Sequence, residues 1–483
     1  MQRPPEDTDL ARFRAALYAT GLGQRKDSLF DLVDAVLTAD GPATLARMSL
    51  ASGFRRRWPS VSDALDAGEL HLNVVRRLLV RSLPSLPSRD ALPSLPSRDA
   101  LRPVWALDGS TWPRPQAKTS PERTWGRQVH AGLPQDGVVP AWEYQWLVAV
   151  PLVGHSWVLP LDVARRSPTA GTPTELALDQ LARVLVHAPT DSPTWRRPVV
   201  TFDSSYDPVG FVRAQQAGTL AAEVLVRLAG HRVFYGEPPP YAGKGRKGAP
   251  RKHGVVFRCK DPTTHGPPDR QAQWVDPARG TMTVAVWTRL HVQKAPDAPF
   301  TVVRITMDRL PRRDTPPQPL WLAWIAPDGR LPDDLSLCWT WYGHRFSIEH
   351  GFRFSKSALG WTTVRPRDPA AADRWTWLLV LVWWQLWLAR SLVGDHRLPW
   401  ERPVAPDALD RLTPGRVRRA VPGLLAMVST PARPSKPRGK SPGRQPGQRP
   451  TPHARCAVHR RHPKPATPRR RRHQIGRKRT AAR

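Results

Sequence analysis

The strongest constraint on what this chain can fold into is the order of its apolar runs between residues 104 and 228. Residues 104–107, 144–150 and 157–161 read as three strands, and residues 174–186 as an amphipathic helix capped by Thr172 or Thr174. A fourth strand at 198–202, a helix at 209–216 and a fifth strand at 222–228 follow. A β-β-β-α-β-α-β series calls for a mixed sheet flanked by helices, an α/β architecture.

Two of these strands end on an acid: Asp108 follows the first and Asp203 the fourth. Sheet-based active sites place carboxylates just past strand ends. Asp207 competes with Asp203, but it precedes a proline, which suits the start of the next helix. An ordinary turn at Asp108-Gly-Ser and an ordinary cap at Asp203-Ser-Ser are the plain alternatives.

A third acid lies further on, in Tyr342-Gly-His-Arg345-Phe-Ser-Ile-Glu349-His-Gly-Phe-Arg-Phe-Ser-Lys356. Steps of three, four and seven residues return to one face of a helix, so Tyr342, Arg345, Glu349 and Lys356 share a face. A solvated face with salt bridges is the other reading of that spacing. Three carboxylates could hold two Mg²⁺ or Mn²⁺ ions, which take oxygen ligands and keep positions open for water and phosphate. Two such ions can drive an in-line displacement at phosphorus.

Charge points to the partner. The 483 residues carry a formal net charge of +34 and a pI of about 11.4. Each Lys or Arg set against a phosphate releases counterions, so nucleic acid is the simplest polyanion to match. A membrane is the rival, but residues 1–9 contain neither a signal-like apolar region nor a basic amphipathic helix. The apolar run 375–389, broken by Thr376 and Gln385, suits a buried helix better than a bilayer span. Three cysteines without a CxxC pair support neither a disulfide framework nor a zinc module and suggest a reducing cytoplasm.

The rest of the chain divides around this core. Residues 1–82 read as a small helical N-terminal domain with a possible DNA-binding role, and Arg55-Arg-Arg57 gives it a basic edge. A nine-residue unit repeated at 83–91 and 92–100 makes 83–102 a duplicated Pro/Ser linker. Residues 103–230 form the first part of the catalytic core and 231–335 a β-rich basic insertion. Its loop supplies Lys244, Arg246, Lys247, Arg251 and Lys252 as candidate phosphate contacts, an ordinary surface loop being the alternative. Residues 336–425 complete the core with the Glu349 helix and a Trp-rich helix. Residues 426–483 form a Pro/Arg-rich tail; from Pro431 onward it has 18 Lys or Arg and no acid, a composition expected to stay disordered.

These residues resemble a known family. The element order, with acids at two strand ends and on a late helix, resembles the ribonuclease H-like fold of DDE transposases. Tyr342-x2-Arg345-x3-Glu349-x6-Lys356 is similar to the YREK signature of bacterial insertion-sequence transposases that carry a β-strand insertion before the catalytic Glu. Asp203-Ser-Ser-Tyr-Asp207, Pro250-Arg-Lys-His-Gly254, Leu359-Gly-Trp361 and Ala372-Asp-Arg-Trp-Thr-Trp377 extend the likeness over residues 10–430. The duplicated linker and the tail depart from it.

The resemblance implies that Asp108, Asp203 and Glu349 bind the catalytic metals, while Tyr342, Arg345 and Lys356 grip DNA phosphates. It implies cleavage of double-stranded DNA at terminal inverted repeats and strand transfer into a target by a homodimer or higher multimer. Some such enzymes hold a flipped base on an aromatic of the insertion, for which Trp274, Trp287, Trp321 and Trp324 are candidates by location. An inactive or domesticated copy that binds DNA without cutting it is the alternative.

Overall fold

The computed structural model describes residues 8–85, 102–127, 137–151, 156–192, 195–240, 250–311, 315–404, 412–437, 443, 445–449 and 452–460. Its centre is a single mixed sheet of twelve strands. The strands that carry the candidate acids are β1 (Val104–Pro113), β3 (Val138–Val150), β4 (Leu159–Arg165), β5 (Val199–Phe202) and β6 (Glu223–Leu228). They lie in the order β4-β3-β1-β5-β6, the first three antiparallel and the last three parallel. Helix α6 (Pro173–Leu185) joins β4 to β5, and α7 (Pro208–Gln216) joins β5 to β6. This is the ribonuclease H-like arrangement, with one further short strand, β2 (Thr124–Arg127), on the edge of β3.

One expected boundary moves. β1 does not stop at residue 107 but runs on to Pro113, paired with β3 throughout. Its first four residues are buried on both faces between β3 and β5, which makes a continuous apolar run. Beyond Leu107 only β3 remains as partner, burial alternates, and the apolar signal is lost although the strand continues.

Residues 231–335 extend the same sheet. β12 (Leu320–Ile325) pairs antiparallel with β6, and β11 (Ala295–Met307), β10 (Gly280–Val292), β7 (Val233–Tyr235) and β8 (Val256–Arg258) follow outward. β9 (Arg270–Asp276) also pairs with β10. The two sides of this sheet face different cores. Met282, Val284, Val286, Val303 and Ile305 pack beneath α8 (Leu337–His344), while Ala285, Trp287 and Val302 face the larger core.

The N-terminal helices α1 (Asp9–Ala16), α2 (Lys26–Thr38), α3 (Leu45–Leu50), α4 (Pro59–Ala67) and α5 (Leu72–Arg81) do not enclose a core of their own. With α11 (Pro414–Leu425) and β4, helices α1, α2 and α4 surround α10 (Pro369–Ala389), which is buried on every side from Trp375 to Trp387. A helix apolar all round must be covered all round. Arg14 fixes the junction, donating to Asp34 at 2.6 and 2.9 Å and to Gln385 Oε1 at 2.5 Å. Among the described residues no helix is long and apolar enough to cross a membrane.

The tail is not wholly without structure. Residues 452–460 lie along the β1–β2 connection: the Cys456 amide donates to Lys118 O, the His459 amide to Arg123 O, and Arg123 Nη2 to Cys456 O. Backbone hydrogen bonds to this connection hold the segment, so it needs no large apolar burial of its own. Most of the repeated segment, residues 86–101, lies outside the described residues, as do 461–483.

Candidate active site

Leu107 and Phe202 are the last register partners of the parallel β1–β5 ladder. The next residue on each strand is an aspartate, so Asp108 and Asp203 stand side by side where the two strands part. Asp108 Oδ1 accepts from the Gly109 amide at 2.7 Å, and Asp203 Oδ1 accepts from the Ser205 amide at 2.9 Å and its hydroxyl at 2.5 Å. Burial pushes the Asp108 carboxyl up to about 6; Arg345 works against this, and the Asp203 charge adds to it. Asp207 caps α7, accepting from Val209 N at 3.2 Å.

Glu349 reaches the same place from α9 (Phe346–Ser357). Residues 342–356 do not form one uninterrupted helix. α8 and α9 meet at Arg345, where bonds from Arg345 N to Tyr342 O and from Ile348 N to Arg345 O span three residues rather than four. At that tight joint the Arg345 guanidinium points inward. Its Nη1 lies 2.6 Å from Asp108 Oδ2 and its Nη2 3.3 Å from Glu349 Oε1. α9 is anchored by Ser355, which accepts from Trp383 Nε1 at 2.9 Å, and by the close approach of Gly351 to Val158.

The four residues expected on one face therefore separate. Tyr342 is buried in the core beneath α8; burial raises its phenol pKa, and Arg345 partly offsets that. Lys356 lies two turns beyond Glu349, with its ammonium 5.8 Å from the ring of Trp361, and burial lowers its pKa. Asp108, Asp203, Arg345 and Glu349 are brought together, with Tyr342 behind Arg345 and Lys356 apart.

The described end of the basic loop, Arg251 and Lys252, is not part of this cluster. Arg251 and Lys252 are exposed before β8, roughly 30 Å from β1 at the usual strand spacing along the sheet. Lys244, Arg246 and Lys247 lie outside the described residues. Trp287, Trp321 and Trp324 are buried core residues, and Trp274 is half-buried against the smaller core. Burial removes the first three as open stacking surfaces.

Three neighbours were not singled out by sequence. Glu143 lies on β3 beside Gly109, its Oε1 3.4 Å from where a Gly109 side chain would begin. Tyr206 is buried, accepts from Gln145 Nε2 at 2.7 Å, and has its pKa raised by burial and by Asp108. Phe346 is half exposed beside Arg345, 5.8 Å from ring to guanidinium. An exposed aromatic next to a basic helix joint was the available signal for Phe346. Glu143 gave none, because the pairing of β3 with β1 decides what it faces. Tyr206 sat inside the quoted 203–207 segment, but only the packing of the β5–α7 connection against Gln145 of β3 places it here.

The chain matches the family model described as DDE superfamily endonuclease over residues 17–290, more than half its length. It belongs to the DDE superfamily endonucleases. The matched stretch of this DDE endonuclease holds Asp108 and Asp203; Glu349 lies beyond it. No curated protein matches the chain. Among solved structures, a piggyBac transposase synaptic complex with hairpin DNA is similar at 10% identity, covering 86% of this chain and 78% of that one, with a TM-score of 0.36. A likeness that slight says nothing about how individual residues are used.

Enzymes of the DDE superfamily typically use divalent metal ions. The donor chemistry here fits such an ion at Asp108 and Asp203, two adjacent carboxylates of which one is desolvated and raised by the other. Among the described residues no three His, Cys, Asp or Glu side chains are close enough to share an ion. Arg345 stands between Glu349 and Asp108 and is bonded to both.

Proposed function

We propose that this endonuclease is a transposase of the insertion-sequence type, cutting double-stranded DNA at terminal inverted repeats and joining the freed end to a target. The observation that carries this reading is the pairing of Asp108 with Asp203 beyond the last β1–β5 register partners, with Glu349 brought to Asp108 through Arg345. Mg²⁺ or Mn²⁺ held by Asp108, Asp203 and Glu349, two ions in the fullest arrangement, would activate the attacking oxygen and stabilise the leaving one.

The chain's own side chains would supply placement. Arg345 offers a planar fork to a phosphate, Lys356 a point charge one helix length away, and Phe346 a face on which a base can stack. Arg251, Lys252 and the neighbouring loop cations would track DNA further from the cut. Two ends held in synapsis imply at least a dimer.

The test uses duplexes carrying the inverted repeats that flank the gene, labelled and incubated with Mg²⁺. Cutting at the repeat and joining to a second duplex supports the reading. Asp108→Asn, Asp203→Asn and Glu349→Gln should each lower cleavage by about two to three orders of magnitude while end binding persists. Full cleavage by Glu349→Gln, or equal cutting of unrelated duplexes without joining, would overturn it.

A further inference from the structure

We propose that Arg345 is a built-in cation, holding Asp108 and Glu349 together while DNA is absent and giving way to a divalent ion when a DNA phosphate takes its guanidinium. This deepens the reading of Asp108, Asp203 and Glu349 as metal-binding carboxylates and rests on it.

Arg345 is deeply buried, its side chain 7% exposed, and bridges Asp108 and Glu349 at 2.6 and 3.3 Å. Among the described residues no other Lys or Arg forms an ion pair with Asp108, Asp203 or Glu349. A guanidinium has donors only, whereas a divalent ion needs the same oxygen lone pairs, so the two compete for Asp108 Oδ2. Occupancy by Arg345 also accounts for the lack of any three-acid cluster within reach of one ion.

Two further observations mark this as a resting arrangement. Arg345 Nε is buried without a hydrogen-bond partner, and the Tyr342 hydroxyl behind it has Arg345 as its polar neighbour. A buried donor left unpaired is costly, and a phosphate, with several acceptor oxygens, could take Arg345 Nε as well as its terminal nitrogens, where the carboxylates do not. Glu349, 53% exposed, is free to rotate towards Asp108 once the guanidinium leaves. Arg345 sits at a three-residue helix joint, where a small change in the angle between α8 and α9 redirects its side chain. Arg345 is thus a positioning residue that couples metal entry to DNA binding, and the coupling must be reciprocal.

Mn²⁺ binding by the full-length protein, read from the paramagnetic resonance signal of the free ion, tests this without any turnover. The wild type alone should bind Mn²⁺ weakly and tighten about tenfold on adding a short blunt duplex. Arg345→Ala should bind about tenfold more tightly than wild type without DNA and gain nothing from the duplex. Arg345→Lys, able to reach only one carboxylate, should fall between and covers the case in which the alanine variant does not fold. If either variant binds Mn²⁺ like the wild type while Asp108→Asn weakens binding, the role of Arg345 is refuted and the metal site stands. If Asp108→Asn leaves Mn²⁺ binding unchanged, the carboxylates are not the metal site and both readings fall.

Discussion

Leu107 on β1 and Phe202 on β5 are the last paired residues of a parallel ladder, and each is followed by an aspartate. One register relationship therefore sets two carboxylates next to each other, although they are 95 positions apart in sequence. A slip of one residue on either strand would turn one of them to the opposite face of the sheet.

Because Asp203 helps to raise the Asp108 carboxyl to about 6, folding stability in metal-free buffer should depend on pH. The folded-state value lies above the ordinary carboxylate value of 3.8, so the native state binds the extra proton. That contribution is complete below about 4 and is lost as pH rises through about 6. Asp203→Asn should flatten this slope, read as denaturant midpoints across pH 4–7.

Lys356 is a half-buried ammonium for which no carboxylate partner is seen among the described residues, resting over Trp361. Its pKa is lowered by burial, so its charge opposes folding, and stability should rise as pH climbs through that lowered value. Lys356→Met should raise the melting temperature yet weaken duplex binding, most strongly at low salt. A variant less stable than wild type would show that Lys356 serves the fold rather than the DNA.

Gly351 lets α9 approach the strand region: a side chain there would begin 2.6 Å from Val158 Cγ2. Alanine gains about 1 kcal/mol in helix propensity, but the overlap costs about 1–3 kcal/mol, so the clash wins. Gly351→Ala should shift Glu349 and reduce cleavage far more than DNA binding. Adding Val158→Ala should restore much of the loss, measured as single-turnover rates.

Arg14→Leu leaves Asp34 buried without its cation and Gln385 without its donor. Removing one partner of a buried ion pair costs about 3–5 kcal/mol. Chemical denaturation should show a loss of that size in a single transition, because α1, α2 and α10 share one core. Two separate transitions would mean that the N-terminal helices fold on their own.

Much of this was legible in the chain. Buried strands 104–107, 198–202 and 222–228 announced themselves as short, mostly apolar runs, and Thr172, one of the two candidate caps, does cap α6. The second half of β1 was not legible, since Asp108-Gly-Ser has turn composition and only its pairing with β3 keeps it extended. The separation of Tyr342 from Lys356 was hidden too. Helical spacing predicts a shared face only for an unbroken helix, and the joint at Arg345 tightens it.

Local sequence determined which segments became strands and helices and which acids could follow the strand ends, because periodicity and caps act within a few residues. It also determined that α10 had to be enclosed, since nothing polar lies on any side of it from Leu378 to Trp384. Tertiary structure alone decided what encloses it, that Asp108 and Asp203 share a register, and that Arg345 rather than solvent lies between Asp108 and Glu349. Those outcomes depend on contacts between residues as far apart as Asp108 and Arg345, set by strand order and helix packing rather than by neighbours in the chain.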